Sequence, residues 1–484
     1  MNTEEKLFQT AYTQAKSEQR RHATLIRTEP IRDPLETYRS IAGYVHDAIC
    51  IMESATHDGT KGRFSYIGVS GTRYLTLNEK RHLDWLKEML RRDCPPSHPV
   101  LPFIGGAVGF FSHELITLIE TTVPTHSVDP FRLPLGEVYF YSRVIVFDHE
   151  EKKMHFVVNV DVSDKGSASA YREGCKGMVE LQRMSEGSAP PMRIPLIGPV
   201  GSNMSKEEYL NMVLRAKEYI ASGDVLQVVL SQRFQTSYEN DASGLTLYAK
   251  LRELNPSPYM FHMDCRSATE RIAFLGASPE IAVHIERNTM RIRPIAGTRK
   301  RGATPEEDKR LAEELQTDPK ELAEHRMLVD LARNDVGRFC KANSIAIPEL
   351  MEVEPYSHVM HLTSEVAGEL REGVHPLDAA LGVLPPGTLS GAPKIRALQL
   401  IAELEKSRRG PYGGAFGWMT DQALDTCIFI RSALLHKEKL YWQSGDGIVA
   451  DSTPEGEYQE TLDKARAIET ALNKIGKHWT SHEK

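Results

Sequence analysis

The 484-residue sequence has no apolar run near the roughly 20 residues a membrane-spanning helix needs, and its start, Met1 to Lys6, lacks the basic stub and apolar stretch of a secretion leader. Insertion and export are disfavoured, and a cytoplasmic location is expected. Excess positive charge is also missing. With 59 Lys and Arg against 66 Asp and Glu the net charge is −7, so no basic field exists to gather a nucleic acid. Cysteine is scarce: Cys50, Cys94, Cys175, Cys265, Cys340 and Cys427 lie far apart with no CxxC pair. That argues against a zinc ribbon or disulfide framework and for a reducing compartment. No GxxxxGK precedes a Ser or Thr, and no GxGxxG leads from a strand into a helix, so nucleotide dependence is not supported.

What is present is an ordinary globular composition, 40% hydrophobic and 26% charged, long enough for two or three domains or one large elaborated one. Residues 1 to about 25 read as a surface helix or arm. A helix is expected from Asp33 and Pro34 to about Val45, with strands at Arg63 to Val69 and Gly136 to Phe147. Ser, Gly and Pro gather between Ser185 and Met204, which places a boundary there and divides the chain into 1–195 and 196–484. Ser205 and Glu208 form a capping-box pattern before a helix to about Gly223, and Val225 to Phe234 reads as a buried strand. Further strands are expected at Ile272 to Phe274, Ile281 to Ile285, Met290 to Ile295 and Leu440 to Gln443. Helices are expected at Pro305 to Gln316, Pro319 to Cys340, Pro393 to Ser407 and Pro454 to Ile475. This grouping, without strict alternation, indicates an α+β fold with antiparallel sheet.

Two proline-started helices carry an ExxE pair in their first turns: Glu321 and Glu324 after Asp318-Pro319, and Glu457 and Glu460 after Thr453-Pro454. The i, i+3 spacing puts each pair on one face, where the helix N-terminus favours negative charge. Each pair alone also fits the usual enrichment of acids at helix starts. If the two faces meet, a hard cation with oxygen ligands resolves the repulsion, and Mg²⁺ is the natural candidate. Gly387 to Lys394 (GTLSGAPK) gathers amides, hydroxyls and a lysine where a helix begins, which suits an anion or merely caps the helix. Gly445 and Gly447 offer amides to a carboxylate, and Arg431 offers a bidentate fork. His358 and His361 form an HxxH that lacks the rest of a zinc signature. Glu280 is a candidate general acid if buried and an ordinary loop glutamate if not.

At these residues the chain resembles the chorismate-utilising enzymes, and within them the large synthase subunits of anthranilate synthase. The matching stretches are Gly276 to Glu280 (GASPE), Pro294 to Thr298 (PIAGT), Lys320 to Asp335, His361-Leu362, Gly387 to Lys394, Arg409 to Gly417, Leu424 to Ser432 and Gln443 to Pro454. They extend over roughly residues 205 to 470, with weaker echoes at Ile51 to Ser54, Gly62 to Gly68 and Gly105 to Gly109.

The resemblance implies a large α/β/β/α sandwich with mostly antiparallel sheets and the active site in the C-terminal part. It implies Mg²⁺ held by Glu324 and Glu460, with Glu321 and Glu457 supporting through water. Arg431, Tyr412 and the amides around Gly445 and Gly447 would take the enolpyruvyl carboxylate of chorismate, and Thr298 and Thr388 would line the pocket. Glu280 would protonate the departing C4 hydroxyl, and His361 would assist pyruvate elimination. Water-adding members carry a base lysine where this chain has Gln227, and aminodeoxychorismate synthases carry a nucleophilic lysine where it has Ala296, so both positions favour anthranilate formation. No glutaminase unit is recognisable, and a separate glutamine amidotransferase subunit is expected as partner. The resemblance also implies feedback inhibition by tryptophan at Ser54, Pro258, Tyr259 and Met260, with Cys427 nearby. Ile51-Met52 replaces the family's usual Leu-Leu there. Asp446 stands where a small residue is commoner, and the assignment requires its charge to point away from the substrate carboxylate. An aminodeoxychorismate synthase component and a catalytically silent tryptophan-binding assembly protein remain as alternatives.

Overall fold

A computed structural model describes residues 3–55, 62–266, 271–355 and 359–478. His358, the first histidine of the HxxH, lies outside the described residues.

Two large sheets dominate the fold, one of 14 strands and one of 10, and their named strand pairs are antiparallel except Leu196–Ile197 with Lys477–His478. Alternation along the strands explains why they stack. In the strand Ala48–Glu53, Ile49 and Ile51 join the core beneath the helices, while Ala48, Cys50 and Met52 join the core between the sheets. Successive side chains of a strand point to opposite faces, so a strand covered on both sides reads as an unbroken apolar run. The helices Thr3–Ser17, Pro34–Ala42, Ser167–Ser185, Leu245–Leu254 and Pro454–Ile475 cover the outer face of the larger sheet. Lys80–Asp93, Pro319–Gly337 and Pro376–Val383 cover the smaller one. Between the sheets, Phe261 stacks on Phe416 with centroids 4.0 Å apart, and Phe110 meets Phe274 at 4.7 Å. The architecture is therefore the expected α+β sandwich of helix, sheet, sheet and helix layers.

The boundary near residue 195 does fall between elements, after the helix Ser167–Ser185 and before the strand Leu196–Ile197. Both sheets nevertheless cross it. Ala48–Glu53 pairs with Tyr259–Arg266 in one, and Gly106–Phe111 pairs with Ala415–Met419 in the other. The regions 1–195 and 196–484 thus share their hydrogen-bond ladders and do not pack as two separate cores.

Local differences have local causes. The first 25 residues hold a helix with Phe8 and Ala15 buried, and then begin the strand His22–Pro30, which had no expected counterpart. Only Ala23 and Leu25 of that strand are fully buried, so its alternation is faint. The run Gly136 to Phe147 divides into Gly136–Tyr141, which joins the smaller sheet, and Arg143–Asp148, which joins the larger. The expected strand Met290 to Ile295 likewise divides, into Thr289–Ile292 and Ile295–Lys300, around Pro294. The capping box is present: Ser205 accepts from Glu208 N–H, and Glu208 accepts from Ser205 N–H.

Candidate active site

Proline and a capping side chain start each acid-bearing helix. Asp318 accepts hydrogen bonds from the Lys320 and Glu321 amides, and Thr453 accepts one from Gly456. These caps satisfy donors the helix itself leaves open, and fix where the first-turn glutamates emerge. The two starts face one another across the site, since the Lys320 charge acts on both Glu324 and Glu457. Burial is the main force raising Glu324, Glu457 and Glu460 above the usual carboxylate range.

The acids are not arranged as two equal pairs. Asp446, Glu457 and Glu460 each offer an oxygen such that all three lie within 4.8 Å of one another. Glu321 instead accepts from Arg299 at 3.2 Å, and Glu324 accepts from Gln227 Nε2 at 3.3 Å. Between the groups sits Lys464, whose ammonium lies 2.9 Å from Asp446 Oδ1 and 3.1 Å from Glu460 Oε1. Two buried oxygens here, Gln227 Oε1 and Asp446 Oδ2, have no hydrogen-bond partner among the described residues. A set of hard carboxylate and amide oxygens with buried acceptors left over is chemically fitted to a divalent cation. Asp446 resolves the difficulty raised by its charge in an unforeseen way. Its Oδ1 accepts from its own neighbour Gly447 N–H at 2.8 Å, engaging an amide that the resemblance gives to substrate.

Glu280 closes the strand–turn that precedes Ile281–Glu286 and is 7% exposed. Thr388 Oγ1 donates to its Oε1 at 3.0 Å, and Ile428 N–H donates to its main-chain carbonyl at 3.0 Å. Burial pushes its carboxyl up to about 8, against the opposing pull of Thr388 and the Arg431 charge, so the group holds a proton at neutral pH. His361 is also buried, and desolvation brings it down to about 4. Its Nδ1 donates to Gly297 O at 2.8 Å with Thr298 Oγ1 at 3.1 Å, which fixes the neutral tautomer with the basic lone pair on Nε2. The charges of Arg431 and Lys464 act on both Glu280 and His361, so acid and base lie within the reach of the same two cations. Arg431 itself is held at φ 48°, an uncommon left-handed conformation for a residue with a side chain. Tyr412 is buried with its hydroxyl lying against Gly445.

A second grouping lies at the start of the strand Tyr259–Arg266, whose Tyr259 pairs with Ser278. Met260 pairs with Glu53, next to Ser54, and Pro258 leads into the same strand. Glu53 is anchored by Arg252 at 2.8 Å and by the Tyr248 hydroxyl at 2.7 Å. Tyr259 donates to Asp425 at 2.8 Å, two residues from the buried Cys427, whose register partner Ile281 follows Glu280.

A model of chorismate binding enzymes matches residues 47–470, well beyond the 205–470 over which the sequence motifs are dense. The chain belongs to this family. Relatives include the anthranilate synthase component 1 of Geobacillus stearothermophilus, 38% identical over 93% of this chain and 95% of that one. The corresponding protein of Acetivibrio thermocellus is 45% identical over 78% of this chain and 77% of its own length. The crystal structure of anthranilate synthase component I from Streptococcus pneumoniae TIGR4 is 34% identical, with a TM-score of 0.74 over 84% of this chain and 92% of that one. The menaquinone-specific isochorismate synthase of Escherichia coli, at 19% identity and a TM-score of 0.71 over 96% and 99%, shares the fold. As a family member the chain is an enzyme of the lyase class that uses chorismate.

Sequence reasoning missed Lys464. A signal existed, since Lys464 is four residues beyond Glu460 and shares its helix face.

Proposed function

We propose that the chain is the synthase component of an anthranilate synthase, forming anthranilate and pyruvate from chorismate and ammonia as the first step of tryptophan biosynthesis. The observation that carries this reading is the pairing of a protonated Glu280 with a neutral His361 within the reach of the same two cations. Glu280 holds its proton at Oε, positioned by Thr388, and would deliver it to the C4 hydroxyl as that group leaves and ammonia adds at C2. His361 then takes a proton through Nε2 as pyruvate is lost and the ring becomes aromatic. Gln227 supports amination over hydration because an amide does not activate water, whereas ammonia is already a nucleophile. Ala296 leaves no amine at its position to form a covalent adduct.

Glu324 and Glu460 would hold Mg²⁺, with Glu321 and Glu457 supporting through water. When bound, Mg²⁺ supplies positive charge for the ring carboxylate. Arg431, Tyr412 and the Gly445 region would bind the enolpyruvyl carboxylate. Ammonia would come from a separate glutamine amidotransferase subunit, in a cytoplasmic heterotetramer. Tryptophan would inhibit by binding among Ser54, Pro258, Tyr259 and Met260, near Cys427. The Tyr259–Asp425 hydrogen bond supports that reading because it joins this segment to the strand beside Glu280.

The test is product analysis: purified chain with chorismate, Mg²⁺ and an ammonium salt at alkaline pH should yield fluorescent anthranilate without any partner. Use of glutamine should require the added amidotransferase. Release of 4-amino-4-deoxychorismate, or no reaction, would refute the assignment.

A further inference from the structure

We propose that Asp446 is an additional carboxylate ligand of the divalent cation and that Lys464 is its displaceable counter-ion, an extension that rests on the Mg²⁺ reading above. The starting point is an acid that stands between two glycines, Gly445 and Gly447. The strand Lys439–Ile448 carries it to the helix Pro454–Ile475, where its oxygens gather with those of Glu457 and Glu460 within 4.8 Å. Adjacent Mg²⁺ ligands stand about 3 Å apart and opposite ones about 4.2 Å, so the three oxygens would draw closer by side-chain rotation to share one ion.

Two further observations point to a cation as a partner for these oxygens. Asp446 Oδ2 is buried without a donor, an expensive state for a charged oxygen beside two other carboxylates. Gln227 is 3% exposed, and its Oε1 has no partner although its amide lies between Glu324 and Gly447. Among the described residues, the Lys464 ammonium bridges Asp446 Oδ1 and Glu460 Oε1 and lies 3.4 Å from Gly445 O. With Glu324 the carboxylates outnumber this ammonium by three formal charges, most of which one divalent ion offsets. The Lys464 side chain is 42% exposed on a flexible stem and reaches water by rotation. An ammonium is a point charge without fixed geometry, so it neutralises the site without closing it to a metal.

The experiment is calorimetric titration of the full chain with Mg²⁺, with Mn²⁺ binding by electron paramagnetic resonance, at constant pH and without chorismate. Asp446→Asn and Asp446→Ala should each weaken binding about tenfold or more, Glu460→Gln should weaken it as well, and Lys464→Met should tighten it several-fold. Asp446→Asn keeps the side-chain shape and so separates ligation from folding, which near-ultraviolet circular dichroism checks. Unchanged affinity in both Asp446 variants with loss in Glu460→Gln would overturn this proposal while sparing the Mg²⁺ reading. Unchanged affinity in all three would overturn both. Lack of tightening in Lys464→Met would overturn the counter-ion role.

Discussion

Glu280 carries a cost that its chemistry explains. Its ordinary value is 4.5 and its value here about 8, so folding takes up a proton between those limits. Native-state binding exceeds that of the unfolded chain across this window, and stability falls as pH rises from 4.5, levelling off above 8. The full loss is on the order of 5 kcal/mol. Glu280→Gln keeps an acceptor for Thr388 but no charge. It should therefore be more stable than the parent, by a margin that grows from pH 4.5 to 8 in thermal melts. The same variant should lose at least about 100-fold in anthranilate formation, the usual scale of general acid catalysis. In the parent, turnover per unit of free ammonia should fall as pH rises through about 8, because the acid then enters the reaction without its proton. A rate independent of pH through that range would refute Glu280 as the acid.

At the scale of elements, the helix Pro319–Gly337 depends on Asp318. One carboxylate caps two amides through Oδ1 and holds Arg299 through Oδ2 at 2.7 Å, and Arg299 in turn holds Glu321. Asp318→Ala should cost about 1 kcal/mol for the lost cap, read from urea denaturation, and should weaken Mg²⁺ binding by freeing the first turn. Asp318→Asn should restore most of the stability but less of the binding, because an amide caps well yet does not anchor Arg299 with charge. The start of this helix, like that of Pro454–Ile475, was legible from Asp-Pro and Thr-Pro alone. Gly136 to Phe147 was less so. Ser142 and Arg143 interrupt its apolar run at the change of sheet, but two polar residues do not by themselves distinguish a bend between sheets from an outward-facing step in one strand.

At the scale of the molecule, the two sheets make the chain one cooperative object. Phe416→Ala would open a void opposite Phe261 and should destabilise by about 3–5 kcal/mol, with unfolding still a single transition by both near- and far-ultraviolet circular dichroism. Residues 196–484 expressed alone should fail to give a native near-ultraviolet spectrum. The strand Ala415–Met419 would lose its partner Gly106–Phe111, and Tyr259–Arg266 would lose Ala48–Glu53. A folded, active fragment would contradict the shared-core description. The Ser- and Pro-rich stretch near residue 195 marks a surface connection, and loop composition alone does not distinguish a crossing within one core from a link between two.

The sequence by itself determined the helix starts, the paired acids in their first turns, the antiparallel α+β class and the family, because capping, periodicity and long ordered motifs are local properties. Only the tertiary structure decided that Glu280 is buried and protonated and His361 buried and neutral. Those states follow from burial by segments far away in the chain, which outweighs the opposite pull of the Thr388 hydrogen bond on Glu280 and of the Gly297 hydrogen bond on His361. It also decided where Asp446 goes. An acid between two glycines reads as exposed or misplaced until the strand register sets it beside Glu457, Glu460 and Lys464, where its charge has neighbours that give it a use.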